Sequence, residues 1–103
     1  MAEIPIQLYI LVLNIEKKGE QLFRKPITLK DGKCPAFNSF DEAVEAAEIF
    51  MKRIKEGNEN IPAKNFDRLE IYVSWGYSDK KGKIDYGTTF AVIDSVFGRI
   101  TDF

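Results

Sequence analysis

The sequence of 103 residues contains no histidine and a single cysteine, Cys34. Histidine is the usual general base and a common metal ligand near neutral pH, so its absence removes the ordinary basis of catalytic and metal sites. A lone cysteine excludes an intramolecular disulfide and favours a reducing compartment. We therefore expect a non-enzymatic protein with no metal site and no cofactor, in the cytoplasm.

Neither sign of charge dominates, and no hydrophobic run is long. The chain has 15 basic and 16 acidic residues, for a net charge of -1. This balance provides no strong field to attract nucleic acid or anionic lipid. The most apolar run, residues 8–13, is far shorter than the about 20 residues that a transmembrane helix needs, and no signal-peptide pattern precedes it.

The composition is typical of a globular protein. Apolar residues make up 45% of the chain and charged residues 30%. At this length the chain fits a single domain, residues 1–103, with enough buried surface for one core. No phosphate-binding glycine motif and no calcium-loop spacing is present.

Residues 39–56 carry the clearest pattern, that of an amphipathic helix. Ser39 with Glu42 three residues later is a capping box, and the apolar positions that follow recur at helical spacing. Acidic residues occupy the first turn and basic residues the last, which complements the helix dipole. Gly57 is the expected stop.

Four segments on either side of this helix predict two β-hairpins. Residues 4–15 and 21–29 form the first, with a three-residue loop at 17–19, and Pro26 places its second strand at a sheet edge. Residues 68–77 and 84–93 form the second, with a turn inside residues 78–83. The fold class is thus α+β, with the order β-β-α-β-β and a four-stranded antiparallel sheet that packs the helix on one face.

Strand registers predict which side chains share a face. In the first hairpin Leu13 is expected opposite Phe23, and in the second Trp75 opposite Tyr86. The second hairpin then has one apolar face and one solvent-exposed polar face. The first strand is different, because it is apolar on both faces.

The second apolar face of the first strand needs a cover. One candidate is the tail, residues 94–103, which is expected to form a short helix or a strand. Val96, Phe97, Ile100 and Phe103 follow helical spacing there, although Gly98 interrupts it. The other candidate is a second copy of the protein, because uncovered apolar surface on a soluble domain marks an interaction site.

Our leading hypothesis is a small protein-interaction module, such as an adaptor, an inhibitor or an immunity-type protein, that acts as a homodimer. The expected partner is therefore another protein or a second copy, and no membrane. The contact residues are predicted to be Leu8, Ile10, Val12 and Leu22.

Two other functions remain open. One is single-stranded nucleic-acid binding by the polar sheet face, where an exposed tyrosine stacks on bases beside the hairpin lysines. The other is a ligand-binding protein or small enzyme with a site between subunits, lined by Ser74, Lys83, Asp85 and Tyr86. The residues expected to contact nucleic acid or ligand are Tyr72, Ser74, Lys80, Lys81, Lys83 and Asp85.

Overall fold

The computed structural model describes residues 7–78 and 84–101 and shows an α+β protein with one helix and an antiparallel sheet. The elements are β1 (Gln7–Lys17), β2 (Glu20–Pro26), β3 (Ala36–Phe37), α1 (Phe40–Lys55), β4 (Arg68–Ser78), β5 (Ile84–Asp94) and β6 (Gly98–Ile100). The sheet has six strands in the described residues, in the order β2-β1-β4-β5-β6, and β3 also pairs with β1. The predicted four-stranded layout therefore missed the short strands β3 and β6.

The helix α1 lies where the sequence predicts it. Ser39 is the N-cap, and its hydroxyl oxygen accepts a hydrogen bond from the backbone N–H of Glu42 at 3.4 Å. Gly57 ends the helix with a φ of 79°. The buried side of α1 packs on one sheet face, which we call the helix face; its buried residues are Ala43, Val44, Ala47, Met51 and Ile54.

The first hairpin turns more tightly than predicted. Lys18 and Gly19 both have positive φ, 52° and 78°, and form a two-residue turn in place of the three-residue loop. A register shift between Ile15 and Glu16 then places Phe23 opposite Ile15, two residues from the predicted partner Leu13. The prediction kept the correct face, because a shift of two residues preserves strand parity.

Pro26 lies on an edge strand, as predicted. Ile27 donates its backbone N–H to Leu11 O at 2.8 Å. Successive N–H groups of an antiparallel strand point to opposite sides, so the nitrogen of Pro26 points away from β1. Its missing N–H therefore removes no hydrogen bond between β1 and β2.

The second hairpin also differs in register. Gly76, and not Trp75, pairs with Tyr86, because register shifts interrupt the β4–β5 ladder on both sides of Ser74. Of the turn predicted within residues 78–83, residues 79–83 lie outside the described residues, and Ser78 ends β4.

Of the two forms predicted for the tail, its described part contains the strand and not the helix. Residues of β6 pair with β5, for example Ile100 with Val92, at the far edge of the sheet from β1. The described tail therefore does not lie over β1, and Phe103 is outside the described residues.

The face opposite α1, which we call the inner face, is nonetheless buried. Ile10 and Val12 are only 2% and 0% exposed within the single chain. Cα atoms of β2 and β5 come within 8 Å of each other, although β1 and β4 separate these strands in the sheet. Three strand spacings amount to about 14 Å in a flat sheet, so the sheet must curl. Because α1 occupies the helix face, the curl closes over the inner face.

Candidate protein-binding surface

The four residues predicted as a contact do not form one exposed patch. Ile10 and Val12 are buried, Leu8 is half-buried, and only Leu22 is exposed, at 44%. Alternation along β1 correctly placed Ile10 and Val12 away from the helix. It carried no information on the curl that covers them, so the contact expected there is not available in the folded chain.

The polar face predicted to bind nucleic acid or ligand is largely enclosed. Ser74 is 0% exposed, and its hydroxyl shares a 3.0 Å hydrogen bond with Thr89. Tyr72 is half-buried, and the Arg24 guanidinium lies 5.1 Å from its ring centroid. Asp85 is exposed and accepts the N–H of Tyr86 at 3.1 Å. The predicted Lys80, Lys81 and Lys83 lie outside the described residues.

Asn14 is the centre of a polar network on the inner face. Its side-chain amide donates to Glu16 Oε2 at 2.7 Å and to Glu70 Oε1 at 3.1 Å, while its Oδ1 accepts from Arg24 Nε at 2.9 Å. Arg24 Nη2 also donates to the Tyr72 hydroxyl at 3.3 Å, and this hydroxyl donates to Glu70 Oε1 at 3.4 Å. The network is satisfied internally, which is what a buried polar group requires.

The same surroundings shift the ionisation of Tyr72. Burial, together with the negative charges of Glu70 and Glu16, raises the pKa of the Tyr72 phenol above its usual value, against the opposing effect of Arg24. The phenol therefore remains protonated at neutral pH and acts as a hydrogen-bond donor.

The single cysteine shows no sign of activation. Cys34 is half-buried, and burial raises the pKa of its thiol. A raised pKa lowers the fraction of the reactive thiolate at neutral pH. Within residues 7–78 and 84–101, no group of three Cys, Asp or Glu side chains is placed to hold a metal ion.

Among residues 7–78 and 84–101, the most exposed large apolar side chains belong to the turn between β5 and β6. Val96 is 76% exposed and Phe97 is 79% exposed. We call this pair the turn patch. Turn positions are usually filled by Gly, Asn, Asp, Ser or Pro, whose backbones or side chains favour turn conformations. Valine and phenylalanine have no such preference, so turn formation does not explain their presence here.

The backbone beneath the turn patch is held on several sides. Asp94 is 9% exposed, and its Oδ1 accepts the N–H groups of Val96 at 2.8 Å and Phe97 at 3.0 Å. Ser95 donates its N–H to Leu69 O of β4 at 3.0 Å, and Gly98 has a φ of 77°. The two apolar side chains therefore project from a fixed turn.

A groove lies between the turn patch and the last two turns of α1, and we call it the helix–turn groove. Its volume is about 560 Å³, and buried Met51 and Ile93 contribute apolar lining. Its charged lining residues are Glu48, Lys52, Lys55, Glu56, Asp94 and Arg99.

Sequence reasoning missed this surface because it considered Val96 and Phe97 only as part of a tail, helix or strand, that could cover β1. The sequence nevertheless contains a signal for a tight hairpin turn. Asp94 before the turn can accept hydrogen bonds from the turn amides, and Gly98 at its end can adopt a positive φ.

Comparison of the chain with protein-family models, with curated proteins and with solved structures finds no match. In the described part of the chain, the single helix has neither the length nor the apolar character to cross a bilayer.

Proposed function

We propose that this chain is a protein-interaction module that binds through the turn patch and the adjoining helix–turn groove. The observation that carries the proposal is the exposure of Val96 and Phe97, at 76% and 79%, on a turn that Asp94 fixes. This contact replaces the one expected from the sequence, because Ile10 and Val12 are buried in the single chain.

Rigid presentation of apolar side chains is favourable for binding. A contact residue that is already ordered loses little conformational entropy when a partner binds. Aromatic side chains and arginine are enriched at the centres of protein interfaces, and Phe97 and Arg99 are both present beside the groove. A cytoplasmic setting, which the single unpaired cysteine supports, belongs to this proposal.

Site-specific photo-cross-linking tests the proposal. A photoreactive phenylalanine analogue is placed at position 97 in cells that express the chain, and at position 49 as the control. Ile49 is 55% exposed on α1 and does not line the groove, so it is a matched apolar surface position. We expect discrete protein adducts from position 97 that position 49 does not give.

The adduct is then identified by mass spectrometry and its affinity measured with purified proteins. Phe97→Ser should weaken binding by at least about tenfold, and Ile49→Ser should leave it unchanged. Identical adducts from both positions, or equal affinities for both variants, would contradict the proposal.

A further inference from the structure

We infer that the helix–turn groove is occupied by the turn patch of a second copy of this chain. This inference rests on the proposed function and names the partner of the same surface. In a two-fold dimer the same surface patch of both subunits meets at the interface. Such an interface therefore requires a patch that is complementary to itself in shape and charge.

Shape is the first part of that complementarity. Phe97 both lines the helix–turn groove and is 79% exposed beside it. A projecting side chain and a receiving groove therefore lie next to each other on one surface. The groove volume of about 560 Å³ falls within the about 300–1,000 Å³ of sites that enclose small ligands, which leaves room for an aromatic side chain.

Charge is the second part. Lys52, Lys55 and Arg99 line the groove together with Glu48 and Glu56, while Asp94 accepts the turn amides. A surface of mixed sign can place opposite charges against its own copy, whereas a partner of uniform charge would meet like charges. The net charge of -1 adds little repulsion between two copies.

Docking by side chains suits this surface better than joining sheet edges. Two copies of β6 that pair about Arg99 would place like charges directly opposite each other, which is destabilising. At the other edge, the nitrogen of Pro26 faces outward and cannot donate to an added strand.

Molar mass in solution tests the inference. The turn patch offers only two exposed apolar side chains, so we expect a micromolar dissociation constant for the dimer. Light scattering from about 1 µM to about 1 mM of protein should then show the mass rising from 11.8 kDa towards twice that value. Phe97→Ser should stay monomeric, and Ile49→Ser should dimerise like the unaltered protein.

A cysteine variant locates the contact independently. In a Cys34→Ser background, with oxidised glutathione as the oxidant, Phe97→Cys should form an intermolecular disulfide much faster than Ile49→Cys at the same concentration. This readout does not depend on how far the Phe97→Ser substitution changes stability.

The outcomes separate the inference from the function on which it rests. A monomer at every concentration overturns self-association, and a dimer that Phe97→Ser leaves intact overturns the assigned contact. If position 97 still cross-links specifically to a different protein, the proposed function stands without the homodimer. If position 97 gives neither adducts nor dimers, both are overturned.

Discussion

The side chain of Ile10 lies directly against Gly76 on the neighbouring strand of the sheet. A Cβ atom at position 76 would lie 2.6 Å from Cγ2 and 2.8 Å from Cγ1 of Ile10. These atoms sit at the branch point of a β-branched side chain, which has little rotamer freedom. The missing side chain at Gly76 is therefore what lets Ile10 be buried on the inner face.

Replacing Gly76 with alanine should be costly for this reason. We expect Gly76→Ala to lower the free energy of unfolding by about 1–3 kcal/mol, because Ile10 must move away from the new methyl group. Gly87→Ala is the matched control, since the nearest atoms to its Cβ are 4.0 Å away. That control should leave stability unchanged or raise it by up to about 1 kcal/mol. Urea unfolding measures both, and equal values would contradict the packing argument.

The polar network around Asn14 leads to a second prediction. Asn14→Ala removes the group that pairs with Arg24, Glu16 and Glu70 at a position that is 0% exposed. The substitution should lower the free energy of unfolding by about 2–4 kcal/mol, because it leaves these charged groups without a hydrogen-bond partner. The exposed Asn60→Ala serves as a control, with an expected change within about 0.5 kcal/mol. Chemical denaturation that gives the same loss for both variants would show that the network is not stabilising.

The raised pKa of Tyr72 leads to a third prediction, on alkaline stability. A phenol whose pKa is higher in the folded state contributes stability that is complete below the unfolded-state pKa of about 10. This contribution is lost as the pH rises through the higher pKa of the folded state. Tyr72→Phe should therefore lose less stability than the unaltered protein across this alkaline range.

Spectrophotometric titration isolates that group among the four tyrosines of the chain. The tyrosinate absorbance of the unaltered protein minus that of Tyr72→Phe should have its midpoint above about 10. A midpoint at or below that value would contradict the assigned direction.

The turn below the turn patch leads to a fourth prediction. Asp94→Ala removes the oxygen that accepts from Val96 and Phe97, and should lower the free energy of unfolding by about 1–3 kcal/mol. Asp94→Asn keeps a side-chain oxygen at this place and should lose less. Hydrogen exchange at the amides of residues 96 and 97 should accelerate in Asp94→Ala and change less in Asp94→Asn. Unchanged exchange in both variants would mean that Asp94 does not hold the turn.

The sequence by itself determined the local elements. Ser39 and Gly57 marked the two ends of α1, because a cap and a positive-φ stop act within a few residues. Residue types that favour strands, together with the turn residues between them, identified the four long strands, and strand parity gave the side of β1 on which Ile10 lies. Pro26 indicated an edge strand.

Only the tertiary structure decided the registers of the strands, the curl of the sheet and the location of the exposed apolar surface. The register shifts beside Ser74 and between Ile15 and Glu16, and the pairing of the short strands β3 and β6, depend on neighbours far along the chain. The curl buries Ile10 and Val12, which the sequence pattern left available for a partner. Because the curl already covers Ile10 and Val12, the tail is not needed as a cover. It forms the β5–β6 turn instead, where Val96 and Phe97 face solvent. Periodicity identifies which side chains share a face, but only long-range packing decides what covers that face.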